Sequence, residues 1–307
     1  MFGLPLASPL QRVQSHLFAD LEVWIKRDDL LHPMVSGNKY RKLKYCLPRP
    51  SDSSSLTVVS MGGPWSNHLH ALAYACREMR LPSRALVRGL RKDTDPLTPT
   101  LLDCIEQGMQ LQFVSREDYR LLRSSDSHWR HLIQAADDGF FWLPEGGSSP
   151  LALRGVSEIL GEIKQELGTK PDLIVCACGT GATLAGIIAG LAGHGKVIGI
   201  AAVQNAHFLK NKVQDLLQEA GYPPYTNFEI LTEYDHGGFA KTTPALLNFC
   251  LNFEHETGIP IEPVYTGKLF YAVAQLCQLK RFNKTQKIVL VHSGGLQGRR
   301  GFTSLGS

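Results

Sequence analysis

Short apolar runs that suit β-strands alternate with helix-period segments along almost the whole chain, and Gly-rich turns separate the two. This alternation is typical of βαβ units and predicts an α/β fold with open, mostly parallel sheets. The predicted strands are 21–26, 56–60, 84–87, 111–114, 140–143, 173–178, 197–203, 229–231 and 287–291. The predicted helices are 40–47, 67–79, 98–107, 116–124, 150–167, 183–192, 210–220, 243–257 and 269–279.

Two turn signals, GGP at 62–64 and PEGG at 144–147, bracket a stretch with its own strand–helix rhythm. We therefore expect a small α/β domain at 50–148, inserted into a larger domain made from 1–49 and 149–307. A chain of 307 residues that is 43% hydrophobic can bury one large core or two modest ones, so its size permits this division.

Composition argues against several classes of protein. The longest apolar stretches, 173–178 and 182–192, are too short to span a bilayer, and the start of the chain lacks the pattern of a signal peptide. We expect a cytoplasmic protein with no membrane partner. The seven cysteines are odd in number and scattered, which predicts free thiols. Cys176 and Cys178 have no second ligand pair nearby, so no metal site is predicted.

The segment SGNKYRKLKY (36–45) opens a helix-period run with Ser and Asn, which are typical N-cap residues. Lys39 is therefore predicted in the first helical turn. There the positive end of the helix dipole lowers a lysine pKa and favours a neutral, nucleophilic amine. The alternative is a solvated basic face or a nucleic-acid patch, because Lys39, Arg41, Lys42 and Lys44 are the one basic cluster in a chain of net charge +4.

A second segment, CACGTGATLAG (176–186), runs from an apolar strand through a Gly-Thr-Gly turn into a helix of small residues. Its backbone N–H groups, hydroxyls and helix N-terminus suit a phosphate. Leu184 replaces the third Gly of a dinucleotide fingerprint and the Walker lysine is missing, so a monophosphate fits better. The alternative is a tight strand–helix turn with no ligand.

Three further segments place polar side chains at strand ends or helix starts, where ligands gather in open α/β sheets. They are MGGPWSNH (61–68), EPVYTGK (262–268) and VHSGG (291–295). In the first of them, Ser66 or Asn67 acting as a simple N-cap is the alternative. An amine able to form an imine, a monophosphate cup and several hydroxyls are together what pyridoxal 5′-phosphate requires.

The segments SGNKYRKLKY, GGPWSNHLHALA, CGTGATLAG, EPVYTGK and VHSGG resemble, in order and over nearly the whole chain, the signature segments of fold-type II pyridoxal-phosphate enzymes. The chain is most similar to the 1-aminocyclopropane-1-carboxylate deaminase and D-cysteine desulfhydrase family. The resemblance implies a two-domain fold like that of the tryptophan synthase β subunit, pyridoxal 5′-phosphate between the domains, and a homodimer.

The resemblance also implies roles for individual residues. Lys39 would carry the cofactor covalently and move the proton at the substrate α-carbon, and Asn67 would bind the cofactor's phenolic oxygen. The phosphate would be held by Gly179, Thr180, Gly181, Ala182 and Thr183. Ser66 would bind the substrate carboxylate or help to move the proton, Tyr265 would stand on the opposite wall of the substrate pocket, and Ser293 would meet the pyridine nitrogen.

The residues at the pyridine nitrogen bear on the reaction. A hydroxyl at Ser293 cannot hold that nitrogen firmly protonated as a carboxylate would, which favours loss of an α-proton and a β-leaving group. The family's cyclopropane-opening deaminases place a Glu directly after the Tyr of EPVYTGK, and this chain has Thr266 there. The family also carries a second pocket Tyr, which the spacing replaces with Phe239.

The resemblance therefore favours β-elimination from a small amino-acid substrate, as from D-cysteine to pyruvate, sulfide and ammonia. Two alternatives remain open. One is deamination of 1-aminocyclopropane-1-carboxylate, and the other is a vitamin-carrier or regulatory protein that keeps the phosphate cup without turnover. No nucleic-acid partner is expected, because few aromatic residues accompany the basic cluster.

Overall fold

The computed structural model describes residues 8–19, 21–48, 56–125, 127–135, 139–302 and 305. Their strands are β1 Leu10–Val13, β2 Val23–Lys26, β3 Thr57–Gly62, β4 Ser83–Arg88, β5 Gln110–Val114, β6 Phe140–Leu143, β7 Leu173–Cys178, β8 Lys196–Ala201, β9 Phe228–Leu231 and β10 Ile288–Val291. Their helices are α1 Asn38–Cys46, α2 Asn67–Met79, α3 Pro99–Glu106, α4 Arg116–Ser124, α5 His128–Ile133, α6 Pro150–Ser157, α7 Ile159–Leu167, α8 Ala182–Leu191, α9 Phe208–Glu219, α10 Pro244–Thr257 and α11 Thr266–Gln278.

The strands form two sheets, and the predicted α/β class is confirmed. A six-stranded sheet has the order β1-β2-β10-β7-β8-β9, in which β1 is antiparallel to β2 and the other pairs are parallel. A four-stranded, all-parallel sheet has the order β5-β4-β3-β6. Apolar side chains alternate between the two faces of each sheet, so each sheet is covered by a buried core on both sides.

The smaller sheet is built from one continuous stretch, 57–143, between β2 and β7 of the larger sheet. The division into domains at 50–148 stays a prediction, and its first boundary lies outside the described residues. Strand β1 and the short helix α5 were not predicted from the sequence. The predicted helix 150–167 is two segments that meet at Glu158, whose dihedral angles stay helical (φ −56°, ψ −28°).

Helix α1 is fixed to the turn that follows β2 and to α7 by charged side chains. The Arg41 guanidinium is 3% exposed and donates to Asp28 (Nε to Oδ2, 2.6 Å) and to Glu162 (Nη1 to Oε1, 2.8 Å). Lys44 pairs with Glu158 (2.7 Å), and Lys42 is 2% exposed. The alternative of a solvated basic face is therefore wrong, because Arg41 and Lys42 are buried and Lys44 is paired. The absence of a nucleic-acid partner stays a prediction.

The structure also bears on the cysteines, on membrane-spanning helices and on metal ligands. The seven cysteines are all buried and none forms a disulfide. None of the described helices is long and apolar enough to cross a membrane. Within the described part of the chain, no group of three or more His, Cys, Asp or Glu side chains could hold a metal ion.

Candidate active site

One cavity of about 920 Å³ lies at the carboxyl ends of the parallel strands, and both sheets contribute to its wall. This is the edge at which open α/β sheets bind ligands. All of the predicted site residues except Ala182 line the cavity, and Ala182 is the buried first residue of α8. The lining residues among them are Lys39, Ser66, Asn67, Gly179, Thr180, Gly181, Thr183, Tyr265 and Ser293.

Helix α1 begins against the end of β10 because Gly37 permits a close approach. A Cβ atom at Gly37, whose φ is +66°, would lie 1.8 Å from the Ser293 carbonyl oxygen. The Asn38 N–H donates to that same oxygen (3.2 Å). The N-cap is thus Gly37, and the expectation of a Ser36 or Asn38 cap is wrong. The contact places Lys39, the second residue of α1, beside the VHSGG segment.

The Lys39 amine lies in a site that favours its neutral form. Burial lowers the pKa of Lys39 well below its usual value, the charge of Lys42 lowers it further, and Glu262 partly opposes this. The predicted direction is confirmed, and burial is the largest cause. Its Nζ donates to Asn38 Oδ1 at 3.0 Å. A neutral amine held at the wall of a cavity is a nucleophile and a base.

The turn after β7 forms a second wall of the cavity. Gly181 has φ +87° and caps α8, so the turn reverses into the helix without a side chain at that point. Asn38 Nδ2 donates to Thr183 Oγ1 (2.8 Å), which ties the start of α1 to the start of α8. Ser148 Oγ donates to the Thr180 carbonyl (3.3 Å). The lysine and the predicted phosphate turn are therefore held in one fixed arrangement.

The SNH segment begins α2 at the cavity. Ser66 is its N-cap, and the Ser66 Oγ accepts a hydrogen bond from the Leu69 N–H (3.2 Å). The simple capping interpretation is thus confirmed for Ser66. The same side chain lines the cavity, and its hydroxyl proton is not used by the cap. Ser66 can therefore cap the helix and donate to a ligand at once.

Two aromatic rings meet on the opposite wall. Phe239 and Tyr265 both line the cavity, with ring centroids 5.9 Å apart in an edge-to-face arrangement. A Cβ atom at Gly179 would lie 3.0 Å from the Tyr265 ring, so this wall touches the turn after β7. Burial raises the pKa of the Tyr265 phenol, with Glu262 and Glu145 adding to the rise. Tyr265 is therefore a neutral hydroxyl across the physiological range.

The end of β10 presents a hydroxyl to the cavity. Ser293 lines it, whereas Thr266 is fully buried and does not. The Thr266 hydroxyl donates to Glu262 Oε1 (3.0 Å) and accepts from the Glu262 N–H (3.0 Å). Glu262 is itself fully buried and accepts from the N–H groups of Val264, Tyr265 and Thr266. Burial raises the pKa of Glu262 to about 7, and these hydrogen bonds offset part of the rise.

Comparison with known proteins explains why these groups share one cavity. The family model described as "Pyridoxal-phosphate dependent enzyme" matches residues 5–294. The chain belongs to this family. It therefore has the fold of the fold-type II pyridoxal-phosphate enzymes, and its cofactor is pyridoxal 5′-phosphate.

Within the pyridoxal-phosphate family, the chain is similar to deaminases and a desulfhydrase. The chain is 31% identical over 287 residues to a putative 1-aminocyclopropane-1-carboxylate deaminase of Thermotoga maritima, covering 90% of this chain and 89% of that protein. It is 31% identical over 294 residues to the mitochondrial bifunctional D-cysteine desulfhydrase/1-aminocyclopropane-1-carboxylate deaminase of Arabidopsis thaliana, covering 90% and 73%. The crystal structure of an ACC deaminase homologue superimposes with a TM-score of 0.85 at 28% identity, covering 98% and 94%.

A buried cation shows that the cavity fits the phosphate of pyridoxal 5′-phosphate. Lys42 is 2% exposed and lines the cavity, and its Nζ donates to the Gly146 carbonyl at 3.2 Å. Across the described chain no carboxylate lies within ion-pair distance of it, and burial lowers its pKa to about 8. A buried ammonium without a counter-ion is costly, so an anion bound beside it is stabilised. Gly146 lies against Thr180, which puts Lys42 next to the predicted phosphate turn.

Lys42 was not predicted to be a site residue, because the sequence places it in a run of basic residues. Its spacing of three from Lys39 was the available signal, since residues three apart on a helix are neighbours. With it, the groups that would hold the cofactor are Lys39, Lys42, Asn67, Ser293 and the turn at 179–183.

Replacing Lys42 with methionine should have opposite effects on cofactor affinity and on the stability of the apoprotein. We expect the affinity for pyridoxal 5′-phosphate to fall about 10- to 100-fold, the usual worth of a hydrogen bond to a charged group. The apoprotein should become more stable, because an unpaired buried charge is removed. Fluorescence titration and urea unfolding measure the two quantities. Lys44→Met, on the same helix but paired with Glu158, is the control, and equal losses of affinity in both variants would contradict this role.

Proposed function

We propose that the protein catalyses β-elimination on a small β-substituted amino acid, with D-cysteine as the leading substrate and pyruvate, sulfide and ammonia as products. Pyridoxal 5′-phosphate, when bound, supplies the electron sink that makes the substrate α-proton removable. The observation that carries the proposal is Ser293, whose hydroxyl-bearing side chain lines the cavity at the end of β10.

The arrangement of acids supports this choice. Thr266 stands where a cyclopropane-opening deaminase would have a carboxylate, and its hydroxyl is taken by the buried Glu262. Two carboxylates line the cavity, Glu145 and Glu219, and Glu145 accepts from Arg123 (2.7 Å). At the pyridine nitrogen, the neutral hydroxyl of Ser293 would hold a proton less firmly than a carboxylate would, and this suits a substrate that carries a β-leaving group.

The chain's own residues supply the remaining requirements. Lys39, with its lowered pKa, is a base for the proton on the substrate α-carbon. Ser66, at the start of α2, lines the cavity and would bind a substrate carboxylate, and Tyr265 with Phe239 forms the opposite wall. Alignment of the Cα–H bond toward Lys39 is then the main contribution of the protein.

The proposal is tested with the holoprotein and a panel of amino acids. D-cysteine, L-cysteine, β-chloro-D-alanine and 1-aminocyclopropane-1-carboxylate are supplied separately, and pyruvate, sulfide, ammonia and 2-oxobutanoate are measured. We expect pyruvate and sulfide from D-cysteine and no 2-oxobutanoate. Faster formation of 2-oxobutanoate would make the protein a deaminase, as the name of the Thermotoga maritima relative suggests. A shift of the visible cofactor band without any keto acid would make it a non-catalytic carrier.

Phe239→Tyr tests the substrate wall. The added phenol would lie beside Tyr265 and restore a donor or acid to the pocket, since the two rings already touch. We expect kcat/KM for D-cysteine to rise about 3- to 10-fold, the worth of one hydrogen bond, with a changed pH profile. Phe249→Tyr, in the core away from the cavity, is the control. An unchanged rate and profile for Phe239→Tyr would show that this position is not part of the substrate pocket.

A further inference from the structure

Asn67 lines the cavity, and the oxygen of its side-chain amide already accepts a hydrogen bond from the protein. Gln297 Nε2 donates to Asn67 Oδ1 at 3.0 Å. In the described part of the chain, no protein group accepts from Asn67 Nδ2. Gly295 leaves the space that this nitrogen occupies, because a Cβ atom there would lie 2.5 Å from Asn67 Nδ2. The amide therefore has its oxygen held by protein and its nitrogen free to donate.

Gln297 is itself held firmly. It lies in the short 3₁₀ helix Leu296–Gly301 that follows β10. The arginines after it anchor this turn on two sides, since Arg299 pairs with Glu254 (2.7 Å) and Arg300 pairs with Asp103. Gln297 lines the main cavity and also a neighbouring one of about 360 Å³, so its side chain stands between the two spaces. A side chain on such a turn can fix the orientation of its partner.

We propose that Gln297 is a positioning residue that fixes the Asn67 amide with Nδ2, the donor, available to the cofactor's phenolic oxygen. The inference rests on the proposed role of Asn67. The amide of an Asn can present either its oxygen or its nitrogen, and only the nitrogen suits an oxygen that carries negative charge. A donor on the far side of Asn67 decides between the two orientations.

The chemistry of residue 297 provides a directional test. Gln297→Glu keeps the length of the side chain but replaces the donor with an acceptor, so the Asn67 amide should turn and present Oδ1 to the cofactor. Gln297→Met removes the donor and leaves the amide free to take either orientation. We expect cofactor affinity to fall about 3- to 10-fold for Met and further for Glu. Because a donor to the phenolic oxygen stabilises its anion, the pH midpoint of the visible cofactor band should move upward in the same order.

The measurements are cofactor titration and a pH titration of the visible band in the reconstituted variants, with urea unfolding as a check of folding. In an Asn67→Ala background, Gln297→Met should add no further shift of the midpoint. Wild-type midpoints in both single variants, or a full additional shift in the Asn67→Ala background, would overturn the proposal. Neither readout requires turnover, so a failure of the β-elimination proposal is distinguishable from a failure of this one.

Discussion

Lys39→Ala should abolish both turnover and the covalent attachment of pyridoxal 5′-phosphate. The loss in kcat is expected to be roughly 10³-fold or more, because Lys39 is proposed to be both the attachment point of the cofactor and the base at the substrate α-carbon. In the wild-type protein, borohydride reduction followed by peptide mapping should place the adduct on Lys39. The variant should show no adduct and no band from a lysine-bound cofactor.

Two other lysines on α1 make this experiment specific. Lys44→Ala is the matched control, since Lys44 pairs with Glu158 outside the cavity and should keep full activity. Lys42 is the competing site, because it lines the same cavity and burial lowers its pKa to about 8. An adduct mapped to Lys42 in the wild-type protein, or one that survives in Lys39→Ala, would contradict the assignment of Lys39.

Much of the fold was readable from the sequence where a local pattern decides the structure. Strands 140–143 and 173–178 and helices 67–79 and 116–124 were predicted with the bounds that the structure has. Strand β1, with the sequence LQRV, was missed because only its outer residues, Leu10 and Val13, are buried. It forms by pairing with β2, and that contact has no signature within four residues. Long-range pairing overrode local propensity there.

The segments that form the site could be predicted from the sequence, but the burial and the pKa values of their side chains could not. The sequence placed Lys39 correctly in the first turn of α1, although the predicted cap was wrong, and the turn at 179–183 follows from turn chemistry. The depression of the Lys39 pKa by burial, and the absence of a carboxylate beside Lys42 in the described chain, depend on which distant elements cover α1. Gln297 could not be found because its one informative contact is to a residue 230 positions earlier. Such contacts exist only after the chain has folded.

Arg41→Met should cost about 3–5 kcal/mol of unfolding free energy, since removing one partner leaves a buried charge uncompensated. The Asp28 side chain is 1% exposed and accepts two hydrogen bonds from Arg41, so it would lose its main counter-charge. Urea unfolding measures the change. Arg12→Ala is the control, because Arg12 and Glu22 form an exposed pair (side chains 52% and 42% exposed) that should contribute less than about 1 kcal/mol. Equal losses in the two variants would contradict the importance of burial.

Arg41→Met should also change how the free energy of unfolding depends on pH under acidic conditions. Burial alone raises the pKa of Glu162, but hydrogen bonds and charge from Arg41 and Lys26 lower it to about 2. A depressed carboxyl pKa contributes stability that is complete above its usual value of 4.5 and is lost as the pH falls toward 2. Arg41→Met should make stability depend less on pH between 4.5 and 2, because only Lys26 is then left to lower the pKa of Glu162.

Arg41→Met should also lower kcat. The Gly37 N–H donates to the Asp28 carbonyl (2.9 Å), so a displaced Asp28 should displace the start of α1. A destabilised variant with wild-type kcat would show that the contacts of Arg41 with Asp28 and Glu162 do not position Lys39.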